Sequence, residues 1–204
     1  MTPLAIDLYC GLGGWAEGFL AEGYRVIGFD IETRPYPGQL VLQDVTTLHG
    51  RQFCNAAVIV ASPPCQAYSY RAMPWKRAKA LPPPDNTLFE ACFRIQKEAC
   101  EAAGRYIPLV VENVRGAKKW VGKAQWHYGS YYLWGDVPAL MPIGGSTKGF
   151  GHTWFQGRSK TRWNPEVRKR DAERMSKIPF PLAQHIARVF KIQQSPLLSA
   201  VYTV

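Results

Sequence analysis

The chain is short of the residues that build metal and disulfide sites. Its five cysteines, Cys10, Cys54, Cys65, Cys92 and Cys100, are odd in number and include no C-x-x-C pair. That pattern speaks against a disulfide framework and against structural zinc. The four histidines, His49, His127, His152 and His185, are scattered, so no metal is expected. No apolar run approaches the roughly 20 residues of a membrane-spanning helix, and no membrane partner is expected. Met1-Thr2-Pro3-Leu4 lacks the charged-then-apolar pattern of a secretory leader, so the expected compartment is the cytoplasm. Acids are scarce too: 15 Asp and Glu stand against 25 Lys and Arg, a net charge of +10. The excess favours a polyanionic partner, with an ordinary basic enzyme as the plainer alternative. There is no internal repeat. At 204 residues and 47% hydrophobic content, one monomeric domain with a small appendage is expected.

What is present begins with a strand. Residues 3–9 are apolar around one Asp and read as a buried parallel strand. Cys10-Gly11-Leu12-Gly13-Gly14 follows at once, and Trp15 and Phe19, four apart, place a helix start near Gly13 or Gly14. Strand, glycine turn and helix form a nucleotide-type binding arrangement, because glycines let a ligand approach the backbone. Residues 25–29 make a second strand ending in Asp30-Ile31-Glu32. An acid there is where a ribose hydroxyl pair is commonly held. These features fit a dinucleotide enzyme as well as a methyltransferase using S-adenosylmethionine. Residues 39–42 are a short third strand. Asp44 beyond it can accept from an adenine amino group or cap a short helix over 46–51.

The fourth strand, 56–61, runs into Ser62-Pro63-Pro64-Cys65-Gln66-Ala67-Tyr68-Ser69. A cysteine past a strand end, braced by two prolines, is held on one turn. That mounting suits a nucleophile, since a thiolate must be aimed and reachable. A half-buried structural cysteine is the alternative. From Ser69 to Asn86 periodicity is lost, and Arg71, Lys76, Arg77 and Lys79 mix with Tyr68, Tyr70 and Trp75. Such a mixture suits phosphate contact and base stacking. A helix follows over 87–104, with Leu88, Cys92, Ile95, Ala99 and Ala103 on its apolar face. A fifth strand, 106–111, ends in Glu112-Asn113-Val114. A carboxylate there faces the crevice where α/β ligands bind, and desolvation favours its neutral form. Its alternative is to cap a helix near 118–121. Residues 131–134 are a later strand. Glycine turns and cations dominate 136–177, with Trp154, Phe155 and Trp163 among them, which suits a nucleic-acid surface or a solvated loop. A last helix, 181–191, carries Leu182, Ile186, Val189 and Phe190 on one face.

In this order the motifs Asp7 to Gly14, Asp30, Asp44, Pro64-Cys65-Gln66 and Glu112-Asn113-Val114 resemble the DNA cytosine-5 methyltransferase family, from residue 4 to about 116. The resemblance implies a Rossmann-like α/β methyltransferase fold with a minimal target-recognition region. It also implies S-adenosylmethionine as cofactor, DNA as partner and a cytosine turned out of the duplex. By position, Tyr9 and Ile31 would lie at the adenine, and Gly11 and Gly13 at the methionine end. Asp30 would hold the ribose and Asp44 the adenine amino group, with Val45, Pro64 and Leu88 completing the cofactor site. Cys65 would be the nucleophile, Glu112 would act at cytosine N3, and Asn113 would position Glu112 or the catalytic loop. Gln66, Ser69 and Arg71 would face the substrate, Ser69 as a phosphate contact.

The implied divisions are a cofactor-binding domain at 1–135, a basic recognition region at 136–170 and a returning segment at 171–204. There are departures. The family's Gln-x-Arg-x-Arg element has no arginine in the corresponding 125–132, and Phe180 to Ala187 stands where a Gly-Asn-Ser motif is usual. So compact a form resembles those that phages carry. Rival readings are a dinucleotide oxidoreductase, a catalytically silent DNA-binding homologue, and the same chemistry on RNA or free cytosine nucleotide.

Overall fold

The structure, a computed structural model, describes residues 2–69, 80, 82–139, 141 and 176–193. Five strands run parallel: β1 (Leu4–Leu8), β2 (Arg25–Asp30), β3 (Gln39–Leu42), β4 (Val58–Ala61) and β5 (Leu109–Asn113). β7 (Tyr131–Gly135) lies antiparallel to β5, and β6 (Trp126–Tyr128) pairs antiparallel with β7 at the edge. The sheet order is β3-β2-β1-β4-β5-β7-β6. All of β4 and β5 is buried, as parallel strands covered on both faces must be.

Among the described residues, four helices cover the sheet: α1 (Gly14–Ala21), α2 (Thr87–Ala103), the single turn α3 (Lys118–Val121) and α4 (Phe180–Gln193). Side-chain alternation sorts the core into two layers. Ala5, Val26, Val58, Val60, Val110 and Leu133 pack under α1 and α4. Ile6, Leu8, Phe29, Ile59, Leu109 and Val111 pack under α2.

α1 carries Gly14 and Gly18 one turn apart, and both are contact points. A Cβ on Gly14 would sit 2.5 Å from the Ile178 nitrogen, and one on Gly18 2.4 Å from the Gln184 nitrogen. The missing side chains are what let the returning segment lie against α1. Ion pairs at its rim, Lys177–Glu17 and Arg188–Glu22, are partly exposed and add little. On α4 the buried face is Leu182, Ala183, Ile186, Ala187 and Phe190; Ala183 meets Gly18, and the expected Val189 is only half-buried.

On α2 the buried face is Phe89, Ala91, Cys92, Ile95 and Ala99. It is turned toward Phe89, whose ring meets Trp134 edge-on at 5.4 Å, while Leu88 is half-buried. The helix expected over 46–51 is two short 3-10 turns, Val45–Thr47 and Gly50–Phe53, separated by extended backbone at Leu48 and His49. β5 runs on through Asn113, pairing Glu112 with Leu133 and Asn113 with Tyr132. Glu112 is therefore a strand residue, not a cap for α3. β6 was not expected at all.

The β2–β3 connection, 31–38, contains no helix. Tyr36 fills that place: a Cβ on Gly28 would meet its ring at 2.5 Å. Its hydroxyl donates to Asp7 Oδ2 at 3.0 Å. Asp7 is fully buried, and its Oδ1 has no partner. Burial, with the Asp30 charge nearby, pushes its pKa well above the carboxylate range despite the Tyr36 bond.

Candidate active site

The carboxyl ends of β1, β2, β4 and β5 meet at one end of the sheet, where open α/β sheets bind ligands. At the end of β1 the chain turns through Tyr9 (φ 57), Gly11 (φ 49) and Gly13 (φ 71). Left-handed backbone is rare for a residue like tyrosine. Tyr9 is held there by its hydroxyl, which donates to the Leu88 carbonyl at 2.9 Å. A Cβ on Gly11 would meet nothing nearer than 4.0 Å, so this glycine faces open space. Gly13 is different: a Cβ there would lie 2.5 Å from Pro37 Cδ, so it packs against the chain itself.

Asp30 is shared between the backbone and the crevice. Its Oδ2 accepts from the Gly11 N–H at 2.9 Å and its Oδ1 from the Glu32 N–H at 3.0 Å. Each carboxylate oxygen has a second acceptor site. Ile31, beside it, is 72% exposed. Asp44 caps the first 3-10 turn through Oδ1, which takes both the Thr46 N–H and the Thr46 hydroxyl at 2.8 Å. Its Oδ2 lies outside that cap, so capping does not use up the carboxylate. Val45 is buried beneath it.

Cys65 opens a turn past β4. Its carbonyl accepts from the N–H groups of Tyr68 and Ser69, both at 3.0 Å. Tyr68, expected among base-stacking aromatics, is instead buried and anchors the turn: its hydroxyl donates to Asn86 Oδ1 at 2.9 Å. On the far side, Asn113 Nδ2 donates to the Pro63 carbonyl at 2.9 Å, and its Oδ1 accepts from Val114 N–H at 2.8 Å. Asn113 thus ties β5 to the Cys65 turn across 50 residues. Cys65 and Ser69 are half-buried, Pro64 and Gln66 exposed. Arg71 lies outside the described residues.

Glu112 is 8% exposed. Burial raises its pKa from 4.5 to about 8, against the opposing effect of a hydrogen bond from Ser62. Ser62 had no part in the sequence reading. Trp15 Nε1 donates to Ser62 Oγ at 3.0 Å, so the single hydroxyl proton is left for Glu112. The order Trp15 to Ser62 to Glu112 follows from donor counting, not from any local motif. Burial also raises the Cys65 thiol, and the nearby Glu112 charge raises it further. Glu112 raises Tyr131 too, after burial, to about 12. Tyr131 therefore stands near Glu112 in the stretch that lacks arginine. Among the described residues no group of His, Cys, Asp and Glu is placed to hold a metal. None of the helices among them is long and apolar enough to cross a membrane. A cleft of about 440 Å³ at the opposite end of the sheet is lined by Arg105, Tyr106 and Asp136. Tyr106 Oη donates to Asp136 Oδ1 at 2.7 Å there, and the lining holds no cysteine, serine, threonine, lysine or histidine.

The sheet order, the glycine turn after β1 and the acid after β2 define the Rossmann-like methyltransferase class. Residues 4–121, more than half of the chain, match the model of the C-5 cytosine-specific DNA methylases, and the chain belongs to that family. The type II methyltransferase M.AplI of Arthrospira platensis is 29% identical over 124 residues, covering 55% of this chain and 32% of that protein. The chain thus spans about a third of the length of this curated relative. Among solved structures, a mutant of Spodoptera frugiperda DNMT2 is 19% identical, covering 58% of this chain and 37% of that one, with TM-score 0.40. The S. pombe Dnmt2 methyltransferase is 16% identical, covering 58% and 36%, with TM-score 0.39.

S-adenosylmethionine is the cofactor of the family, and the residues present fit it. The open side of Gly11, the unspent acceptor sites of Asp30 and the second oxygen of Asp44 are the features a ribosyl-adenine ligand needs.

Proposed function

We propose that the chain methylates C5 of cytosine in DNA, with Cys65 as nucleophile and Glu112 as the group that manages charge at N3. The observation that carries this reading is the convergence of Cys65, Glu112 and Asn113 from two separate strand ends, fixed by the Asn113–Pro63 bond. Tyr9, Gly11, Asp30, Ile31 and Asp44 would hold S-adenosylmethionine, with Leu88 bracing Tyr9. Bound there, it supplies an electrophilic methyl group on a sulfonium.

Cytosine C5 is a poor nucleophile. Addition of the Cys65 thiolate to C6 pushes an electron pair toward C5 and charge toward N3. Glu112, protonated below about pH 8, donates to N3 as that charge develops. The C5 electron pair then forms the new C–C bond to the methyl group as the S–CH3 bond breaks, its pair staying on sulfur, so that the cofactor would leave as a neutral thioether. Loss of the C5 proton to a base returns the electron pair to the ring and expels Cys65 as thiolate, while N3 gives its proton back to Glu112. The two pKa shifts are coupled in the useful direction. A neutral Glu112 removes the charge that opposes ionisation of Cys65.

The test is expression in cells lacking cytosine-5 methylation, followed by digestion of their DNA and mass spectrometry of 5-methylcytosine. The signal is expected with the wild-type chain and absent with Cys65→Ala. Soluble, cofactor-binding protein that leaves DNA unmodified would turn the reading toward a silent homologue or a different cytosine substrate. The arginine-free stretch at 125–132 would then be the leading cause.

A further inference from the structure

The β6–β7 side of the sheet carries a surface that the reaction does not use. Residues 114–135 contain no Asp or Glu but hold Arg115, Lys118, Lys119 and Lys123. All four are exposed, and none forms an ion pair with a described residue. Aromatic rings are interleaved with them. His127 and Tyr132 stack with centroids 5.0 Å apart and planes 19° from parallel; Trp126 and His127 lie 6.4 Å apart at 27°. Lys118 Nζ sits 5.7 Å from the Tyr132 ring centre, and Lys119 Nζ 4.4 Å from that of Trp120. Trp126 and His127 are exposed on the edge strand.

This surface adjoins the site. β6 runs in the direction of β5, so its carboxyl end lies at the same end of the sheet as Cys65 and Glu112. Tyr132 is the register partner of both Asn113 and His127. Gly116 abuts the Tyr68 carbonyl so closely that a Cβ would come within 2.2 Å of it. Arg115 therefore begins the surface against the turn that carries Cys65. Cations without an acidic partner among the described residues, set beside the exposed Trp126 and His127 and the half-buried Tyr132, match a charged backbone with unstacked bases, and match an apolar or basic protein partner poorly.

We propose that this edge docks the DNA strand flanking the target cytosine. Arg115, Lys118, Lys119 and Lys123 meet its phosphates, and the Trp126–His127–Tyr132 stack receives an unstacked base. The inference rests on the reading of the chain as a DNA methyltransferase.

The test is fluorescence anisotropy of the purified full chain with labelled duplex and single-stranded DNA over a range of salt. K118A/K119A/K123A is expected to bind about tenfold more weakly, with a log–log salt slope shallower by about 2 to 3. W126A/H127A is expected to bind single strands about tenfold more weakly at unchanged slope. Unchanged S-adenosylmethionine affinity shows that both variants are folded. A wild-type chain that binds DNA well, with both folded variants matching it in affinity and slope, overturns the surface alone. A wild-type chain that takes up S-adenosylmethionine but no DNA, or prefers a structured RNA of equal length, overturns the surface together with the DNA reading.

Discussion

At the residue scale the site is a matter of where two protons sit. In the proposed mechanism the addition needs Cys65 ionised and Glu112 protonated. Burial places the second at about 8 and raises the first above its usual 9.0. The active form is therefore a minor one at neutral pH. kcat/KM should climb about tenfold per pH unit as the thiol ionises, then level off from about pH 8, where Glu112 loses its proton as fast as Cys65 does. Glu112→Gln should lower the rate and remove the break. Ser62→Ala should move the break upward, because the Ser62 bond holds the Glu112 pKa down, and Ser62→Thr should restore it. A break that stays in place in Ser62→Ala would separate Ser62 from Glu112. Cys65 and Glu112 were legible in the sequence as residues following strands. Ser62, Trp15 and the Asp7–Tyr36 pair were not, because each acts through a partner 29 or more residues away.

At the scale of elements, the parallel strands were legible because burial on both faces leaves continuous apolar runs. Residues 39–42 were placed with the bounds of β3 itself. β6 escaped because three residues, Trp126-His127-Tyr128, give no alternation to read. On α2 the expected Cys92, Ile95 and Ala99 are buried, while the i, i+4 count begins at Leu88 where the fold buries Phe89. The contact of α1 with α4 has no sequence period either; it depends on Gly14 and Gly18. Gly18→Ala should drive a methyl into Ala183 and Gln184 and destabilise the chain by about 1–3 kcal/mol. Urea unfolding followed by circular dichroism measures this, and an unchanged midpoint would mean that α4 lies farther from α1.

For the whole molecule, the buried carboxyls make stability depend on pH. Glu112 is raised from 4.5 to about 8. Its contribution to stability is therefore fully present below pH 4.5 and is lost as pH rises to about 8. Asp7, raised in the same direction, adds to the loss. The urea midpoint should fall between pH 5 and 8, and fall less in Glu112→Gln; equal slopes in the two proteins would show that Glu112 ionises normally. The basic composition agrees with a polyanionic partner at this scale, and the acid-free stretch 114–135 assigns part of that charge to one edge of the sheet.

The most direct measurement traps the covalent step itself. The purified chain is incubated with S-adenosylmethionine and random-sequence duplex DNA in which 5-fluorocytosine replaces cytosine. Fluorine at C5 cannot leave as a proton does, so the elimination that frees Cys65 is blocked. A protein–DNA adduct stable to denaturing electrophoresis, dependent on S-adenosylmethionine and absent in Cys65→Ala, is the predicted result. An adduct that persists in Cys65→Ala, or methyl transfer to ordinary DNA with no adduct on the fluorinated duplex, would contradict Cys65 as the nucleophile.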